Sequence, residues 1–139
     1  MSDDALFGGF YAALTATLVA LGVGLYKAHK HDAKGHIIAI VVFVLLLLVT
    51  LVFAETIGMR FAFPEQSRNV HLPLAFITSG FLLAPLISGV LHYKGRVSRD
   101  AHVWMARVFL VLAVATIGTG FWMISGRTPK PTPAGDAPG

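Results

Sequence analysis

The chain has 139 residues, of which 55% are apolar, with a mean hydropathy of +0.72 and a formal net charge of +4. Such a composition describes one domain with little material outside a membrane, and its loops are too short to hold a soluble catalytic module. Cysteine is absent, which excludes disulfides, thiolate metal ligands and thiol nucleophiles.

Four uncharged stretches dominate the sequence: residues 6–26, 37–54, 72–91 and 108–125. Each is about 18–21 residues long, the length an α-helix needs to cross a hydrocarbon core of roughly 30 Å. The pattern predicts an all-α, polytopic membrane protein: an antiparallel four-helix transmembrane bundle over residues 1–126, followed by a Pro/Gly-rich tail, 127–139, expected to be disordered. The opening Met1-Ser2-Asp3-Asp4 is acidic where a cleavable signal would be basic, and no small-residue cleavage pattern follows the first stretch. The first helix is therefore expected to be retained.

Helix 1 carries small residues at every fourth position, Gly8, Ala12, Ala16, Ala20 and Gly24. In lipid such a stripe lets another backbone approach closely. It reads as packing within the bundle, with a homodimer through the same face as the alternative. A short loop, 27–35, holds His29, His31 and Asp32. Helix 2 is the most lipid-like and ends at Glu55, Thr56 and Arg60, where an outer-face Glu55–Arg60 ion pair of little energetic weight is expected.

The link 61–70 is aromatic and Pro-containing, and is expected to lie along the outer interface. Helix 3 has Pro73 in its expected first turn and Pro85 in its interior. Pro85 removes a backbone bond, should kink the helix and frees the carbonyl of Phe81. Gly80, Ala84 and Ser88 give this helix a small-residue face. The charged third loop, 93–101, forces helices 3 and 4 to be antiparallel neighbours. Helix 4 opens with His102, Trp104 and Arg107 and closes with Trp122, so its two tryptophans mark the two membrane interfaces. Thr116, Gly118 and Gly120 read as packing.

Charge is distributed by face. The first and third loops carry Lys27, Lys30, Lys34, Lys94, Arg96 and Arg99 against Asp32 and Asp100. The other face carries Arg60, Arg68, Arg127 and Lys130 against Asp3, Asp4, Glu55, Glu65 and Asp136. Short loops rich in Lys and Arg stay in the cytoplasm, so both termini are expected outside a cell inner (plasma) membrane. The basic pI of 9.8 is then a topology signal, and no motif points to nucleic acid.

Threading the chain this way gathers His29, His31, His36, His92 and His102 at the inner face and leaves His71 alone at the outer one. His71 and His92 are about 31 Å apart on one helix and cannot share a ligand. His36, His92 and His102 start or end three different helices at one depth, so their imidazoles can converge. Converging imidazoles ligate haem iron or copper, or relay protons. Asp32, four residues before His36, is placed to hold that ring in one tautomer. Histidines at helix ends in the headgroup zone also need no ligand at all, being amphipathic and wet. No nucleophile–base pair or paired carboxylate suggests hydrolysis, and no catalytic residue is assigned.

Three segments resemble the domain-of-unknown-function 420 family, small four-helix membrane proteins linked to maturation of haem–copper oxidases. They are Lys34-Gly35-His36, Val70-His71-Leu72 and Ser98-Arg99-Asp100-Ala101-His102. The stretch Ala115-Thr116-Ile117-Gly118-Thr119-Gly120 is similar to that family's small-residue segment in its last helix. The resemblance covers about residues 27–125 and implicates His36, His71 and His102 as metal ligands. It departs where Ile37 and Val103 stand in place of basic residues, and in its additional His92. A second likeness, to four-helix haem proteins of the cytochrome b561 kind, implies haem held by pairs among His36, His92 and His102. The expected role is an accessory or maturation protein of a respiratory oxidase handling haem b or copper. An electron-carrying b-type cytochrome and a structural subunit packed against other membrane subunits are the alternatives.

Overall fold

The computed structural model describes residues 2–130 and is all-α, with four helical spans long and apolar enough to cross a membrane. Helix α1 is Asp3–His29 and α2 is Ala33–Arg60. The third span is interrupted, with α3 at Glu65–Phe81 and α4 at Leu83–Tyr93, and α5 is Arg99–Ser125. Phe61–Ala62 and Thr128–Pro129 are two-residue extended segments. Two compact units result, Met1–Phe61 and Ala62–Gly139. Each is an antiparallel helical hairpin, α1 on α2 in the first and α3 and α4 on α5 in the second.

Every span is longer than its uncharged stretch, because the helices continue through the headgroup zone to polar caps. Ser2 caps α1 by accepting from the Ala5 N–H at 3.3 Å. Asp32 caps α2 through the Gly35 N–H at 2.9 Å, and Ser98 caps α5 through the Ala101 N–H at 3.2 Å. Asp3 and Asp4 in the first turn of α1, and Lys27 and His29 in its last, complement the helix dipole.

The first hairpin turns in three residues. Beyond the C-cap Lys30, His31 adopts a left-handed φ of +57°. The Asp32 N–H returns to the Lys27 carbonyl at 3.0 Å, and the His31 N–H to that of Ala28 at 3.1 Å. This pair of bonds closes a helix C-terminus at low cost when a glycine takes the left-handed position. The second hairpin has that glycine. Gly95, at φ +71°, follows the C-cap Lys94; its N–H reaches the His92 carbonyl at 2.9 Å, and that of Arg96 reaches Leu91 at 2.8 Å. Lys27 and Asp32 form an ion pair of 3.0 Å across the first turn.

Most of the link 61–70 is helical, because α3 begins at Glu65. Pro64, with φ preset near helical values, launches α3 at Glu65, whose carboxylate sits in the first turn. Pro73 consequently lies in the helix interior rather than its first turn. Pro85 has no N–H for the Phe81 carbonyl, and the span is divided at Leu82. Leu82 keeps its own bonds, its N–H donating to the Thr78 carbonyl at 3.0 Å and its carbonyl accepting from the Leu86 N–H at 3.4 Å. Its backbone stays right-handed helical at φ −52° and ψ −32°.

Buried residues of the first hairpin include Leu6, Phe10, Phe43 and Ile57, and the Phe7 ring meets that of Phe61 at 5.2 Å. Thr17 and Thr50 pair their hydroxyls at 3.0 Å between α1 and α2. In the second hairpin Thr78 and Thr116 do the same at 2.7 Å between α3 and α5. Val52, Phe76, Val111 and Val114 are at least two-thirds exposed, as lipid-facing side chains are. The small stripe of α1 divides: Ala20 and Gly24 are buried, whereas Gly8 faces open space, as do Gly80 in α3 and Gly118 in α5. The expected Glu55–Arg60 pair does not form. A spacing of five turns the two side chains to different sides of the helix, and Arg60 reaches Asp3 at 3.6 Å instead. Of the predicted tail, Arg127 bonds back to the Ile124 carbonyl through its backbone N–H and Nη1; residues 131–139 lie outside the described residues.

Two outcomes test the first turn. His31→Gly removes the left-handed strain and should raise stability by about 0.5–1 kcal/mol, read as thermal unfolding in detergent, whereas Gly95→Ala should lower it. The Asp32 carboxyl is held below the ordinary carboxylate range, first by the Gly35 N–H and then by the Lys27 ammonium. A depressed folded-state value means its stabilising effect is present above the ordinary range and is lost as pH falls through the lowered value. Hydrogen-exchange protection of the Gly35 amide should therefore persist through mild acid and drop below it, and Asp32→Ala should abolish that pH dependence.

Candidate functional site

The candidate residues are imidazoles, and the hairpins fix how each one is held. His36 is the fourth residue of α2, and its Nδ1 lies 2.8 Å from the Gly24 carbonyl on α1. A carbonyl only accepts, so Nδ1 carries the hydrogen and Nε2 the lone pair. Asp32, the partner expected from its spacing, is occupied elsewhere as the α2 cap and the Lys27 counter-ion.

His102 is likewise the fourth residue of α5, and its Nδ1 lies 3.0 Å from Ser88 Oγ on α4. The Ser88 hydroxyl already donates to the Pro85 carbonyl at 3.2 Å, so it accepts from His102. Pro85 thus has a second consequence, since its carbonyl orients the hydroxyl that orients the ring. Gly89 makes room: a Cβ there would stand 3.1 Å from the imidazole Cε1. His92, near the end of α4, points Nδ1 at the Val97 carbonyl at 3.0 Å within the turn. The His92 and His102 rings come together, with centroids 6.1 Å apart and planes within 8° of parallel.

His71 lies at the other end of the second hairpin. Its Nδ1 is 3.1 Å from Thr119 Oγ1, which donates to the Ala115 and Thr116 carbonyls, and its Cε1 faces Gly120 as His102 faces Gly89. Thr119 is 17 positions beyond His102 on α5, about 26 Å along the axis. All four rings therefore share one tautomer, hydrogen on Nδ1 and lone pair on Nε2. His29 and His31 are exposed in the first turn.

Of the predicted set, the structure brings His92 and His102 together and keeps His71 at the opposite end of their hairpin. His36 belongs to the first hairpin, bonded to Gly24. Among the described residues no three His, Asp or Glu side chains form a group that could hold a metal ion. No family model, curated protein or solved structure matches this chain.

The residues that hold the rings, namely Gly24, Ser88, Gly89, Thr119 and Gly120, carry no signal on their own. A repeat does mark them. His36, Phe43, Leu46 and Thr50 on α2 recur as His102, Phe109, Leu112 and Thr116 on α5, each 66 positions later. Phe43 and Phe109 are both buried. Thr50 bonds the Leu46 carbonyl and Thr116 that of Leu112, and both threonines pair across their hairpin. Gly24 and Ser88, which meet the two histidines, each lie six positions before their helix C-caps.

Ser88→Ala should release His102 from its single tautomer while leaving His92 unchanged. Two-bond ¹H–¹⁵N imidazole spectra should show Nδ1–H alone at both rings in the parent, and a tautomer mixture at His102 alone in the variant.

Proposed function

We propose that this chain is an integral membrane accessory or maturation protein of a respiratory system containing a haem–copper oxidase, and that His36, His92 and His102 serve it as imidazole donors for haem b or copper. The observation that carries the reading is the shared anchoring: each ring is held through Nδ1 by a carbonyl or hydroxyl of its own hairpin. Ligating histidines are oriented in this way, with the second nitrogen bonded to a protein acceptor that fixes the ring and raises its basicity. The donor chemistry fits iron or copper, either of which would supply redox capacity once bound.

Three further features support it. The three histidine segments and the small-residue segment of α5 resemble the domain-of-unknown-function 420 family. Among the described residues the loops are too short to hold a soluble catalytic module. The turns that carry His92 and precede His36 and His102 are basic, which suits the cytoplasmic side of a plasma membrane with both termini outside.

Deleting the gene should lower oxidase activity in the host membrane, and complementation with His36→Ala or His102→Ala should fail to restore it, while both variants accumulate to parental levels. Unchanged oxidase activity on deletion would sink the reading. A Soret band in the purified protein, lost in the same variants, would assign an electron-carrying cytochrome instead. Full complementation by a chain with every histidine replaced would leave only a structural subunit.

A further inference from the structure

We propose that the first hairpin binds one anionic glycerophospholipid, with an acyl chain in the groove between α1 and α2 and its phosphate among the lysines of the first turn. The proposal is independent of how the histidines are read.

The groove follows from how the two helices meet. Ala20 and Ala39 are buried at the seam, and a Cβ on Gly24 would stand 3.6 Å from that of Ala39, so the backbones approach closely. Branched side chains rise on either flank, Val19 and Val23 on α1 and Ile38 and Val42 on α2, each 42–65% exposed. A close seam between tall walls leaves a trough of about 510 Å³. Ala16 and Leu46 line one end of it, Lys27 and Gly35 the other, and the lining between is aliphatic.

Length and width fit one acyl chain. Each wall covers eleven positions, from Ala16 to Lys27 and from Gly35 to Leu46, or about 16 Å of helix. That is half of a hydrocarbon core of roughly 30 Å. The ends agree with this depth. Ala16 is the midpoint of the uncharged stretch 6–26, Leu46 is next to the midpoint of 37–54, and Lys27 is the first charge beyond the former. The trough therefore runs through one leaflet, from headgroup level to the bilayer centre. Over that length its volume gives a width of about 6 Å, room for one extended chain. A helix, roughly 10–12 Å across with its side chains, is too wide to enter.

Charge selects the headgroup. Lys27 at the mouth is matched by Asp32 at 3.0 Å. Lys30 and Lys34 are exposed in the same turn, where Asp32 is the single acid among residues 27–36. Lys34 precedes Ile38 by four positions and so lies on its side of α2. The Lys30 ammonium stands 5.8 Å from the centre of the Tyr26 ring, at the end of α1. Three lysines against one carboxylate favour a phosphate with net negative charge over a zwitterionic headgroup, which carries its own cation.

Native mass spectrometry of the purified full chain tests both halves of the site, with dioleoylphosphatidylglycerol as the anionic probe and dioleoylphosphatidylcholine as the control. One lipid per chain is expected. A basic residue near an anionic surface contributes about fivefold, so Lys30 and Lys34 together should make the anionic lipid bind about 25-fold tighter. Lys30→Gln combined with Lys34→Gln should remove that preference and leave the binding of phosphatidylcholine unchanged; both residues are exposed, so the fold is kept. Ala16→Phe, which fills the deep end, should weaken both lipids at least about tenfold, the effect of losing two buried methylenes. Val111→Phe, at a lipid-facing position of α5, should bind as the parent does. Should circular dichroism show Ala16→Phe misfolded, Ile38→Ala lowers an exposed wall and should weaken both lipids in its place. Equal affinity for the two lipids, or parental binding in the groove variants, would overturn the site. A two-chain mass that Ala16→Phe converts to one chain would overturn it too, and would give the trough to a second copy.

Discussion

Hydrocarbon offers no hydrogen-bond partner, so every polar atom carried into it must find one inside the protein. The backbone complies by staying helical, even at Leu82, where the span is divided but the winding and the Leu82 bonds are kept. Side chains comply across each hairpin: Thr17 with Thr50, Thr78 with Thr116, Ser88 with the Pro85 carbonyl. Among the described residues no buried side-chain nitrogen or oxygen lacks a partner. The same constraint governs the imidazoles. Each Nδ1 meets an acceptor within its own hairpin, and that bond decides which nitrogen remains basic. The site's chemistry follows from polar satisfaction rather than from a separate design.

The turns decide where those bonds can form. In each hairpin the histidine is the fourth residue after its N-cap, and its partner lies six residues before the preceding C-cap. The two turns are chemically unlike. One has His31 in the left-handed position and Asp32 as cap; the other has Gly95 and Ser98. What recurs is the contact layer of His, Phe, Leu and Thr on the second helix of each hairpin. Turn residues can vary wherever they close the same two backbone bonds, whereas a histidine moved by one position would leave its acceptor by about 100° of helix rotation.

Helix number and class were legible because apolar length is an unambiguous signal in lipid. Boundaries were not, since an apolar run stops at the first charge while the helix continues to Ser2, Asp32 or Ser98. The start of α3 was signalled by Pro64 and Glu65, but the polar residues 66–69 hid it. The break near Pro85 was readable from proline chemistry alone. The partner of His36 was unreadable, because it is a backbone carbonyl, and a carbonyl has no letter. Ser88 looked like one of several small residues; only the Pro85 carbonyl one turn back makes its hydroxyl an acceptor. The 66-residue repeat of His, Phe, Leu and Thr was present in the sequence and points to both hairpin contact layers.

The choice of acceptor bears on what the histidines can hold. A carboxylate on Nδ1 would bring a full negative charge toward the membrane, at a cost of several kcal/mol unless paired. It would also draw a proton onto Nε2 and so compete with a metal. Asp32 is kept from that role by Gly35 and Lys27, and the rings are left with carbonyls and hydroxyls. Neutral acceptors orient an imidazole nearly as well.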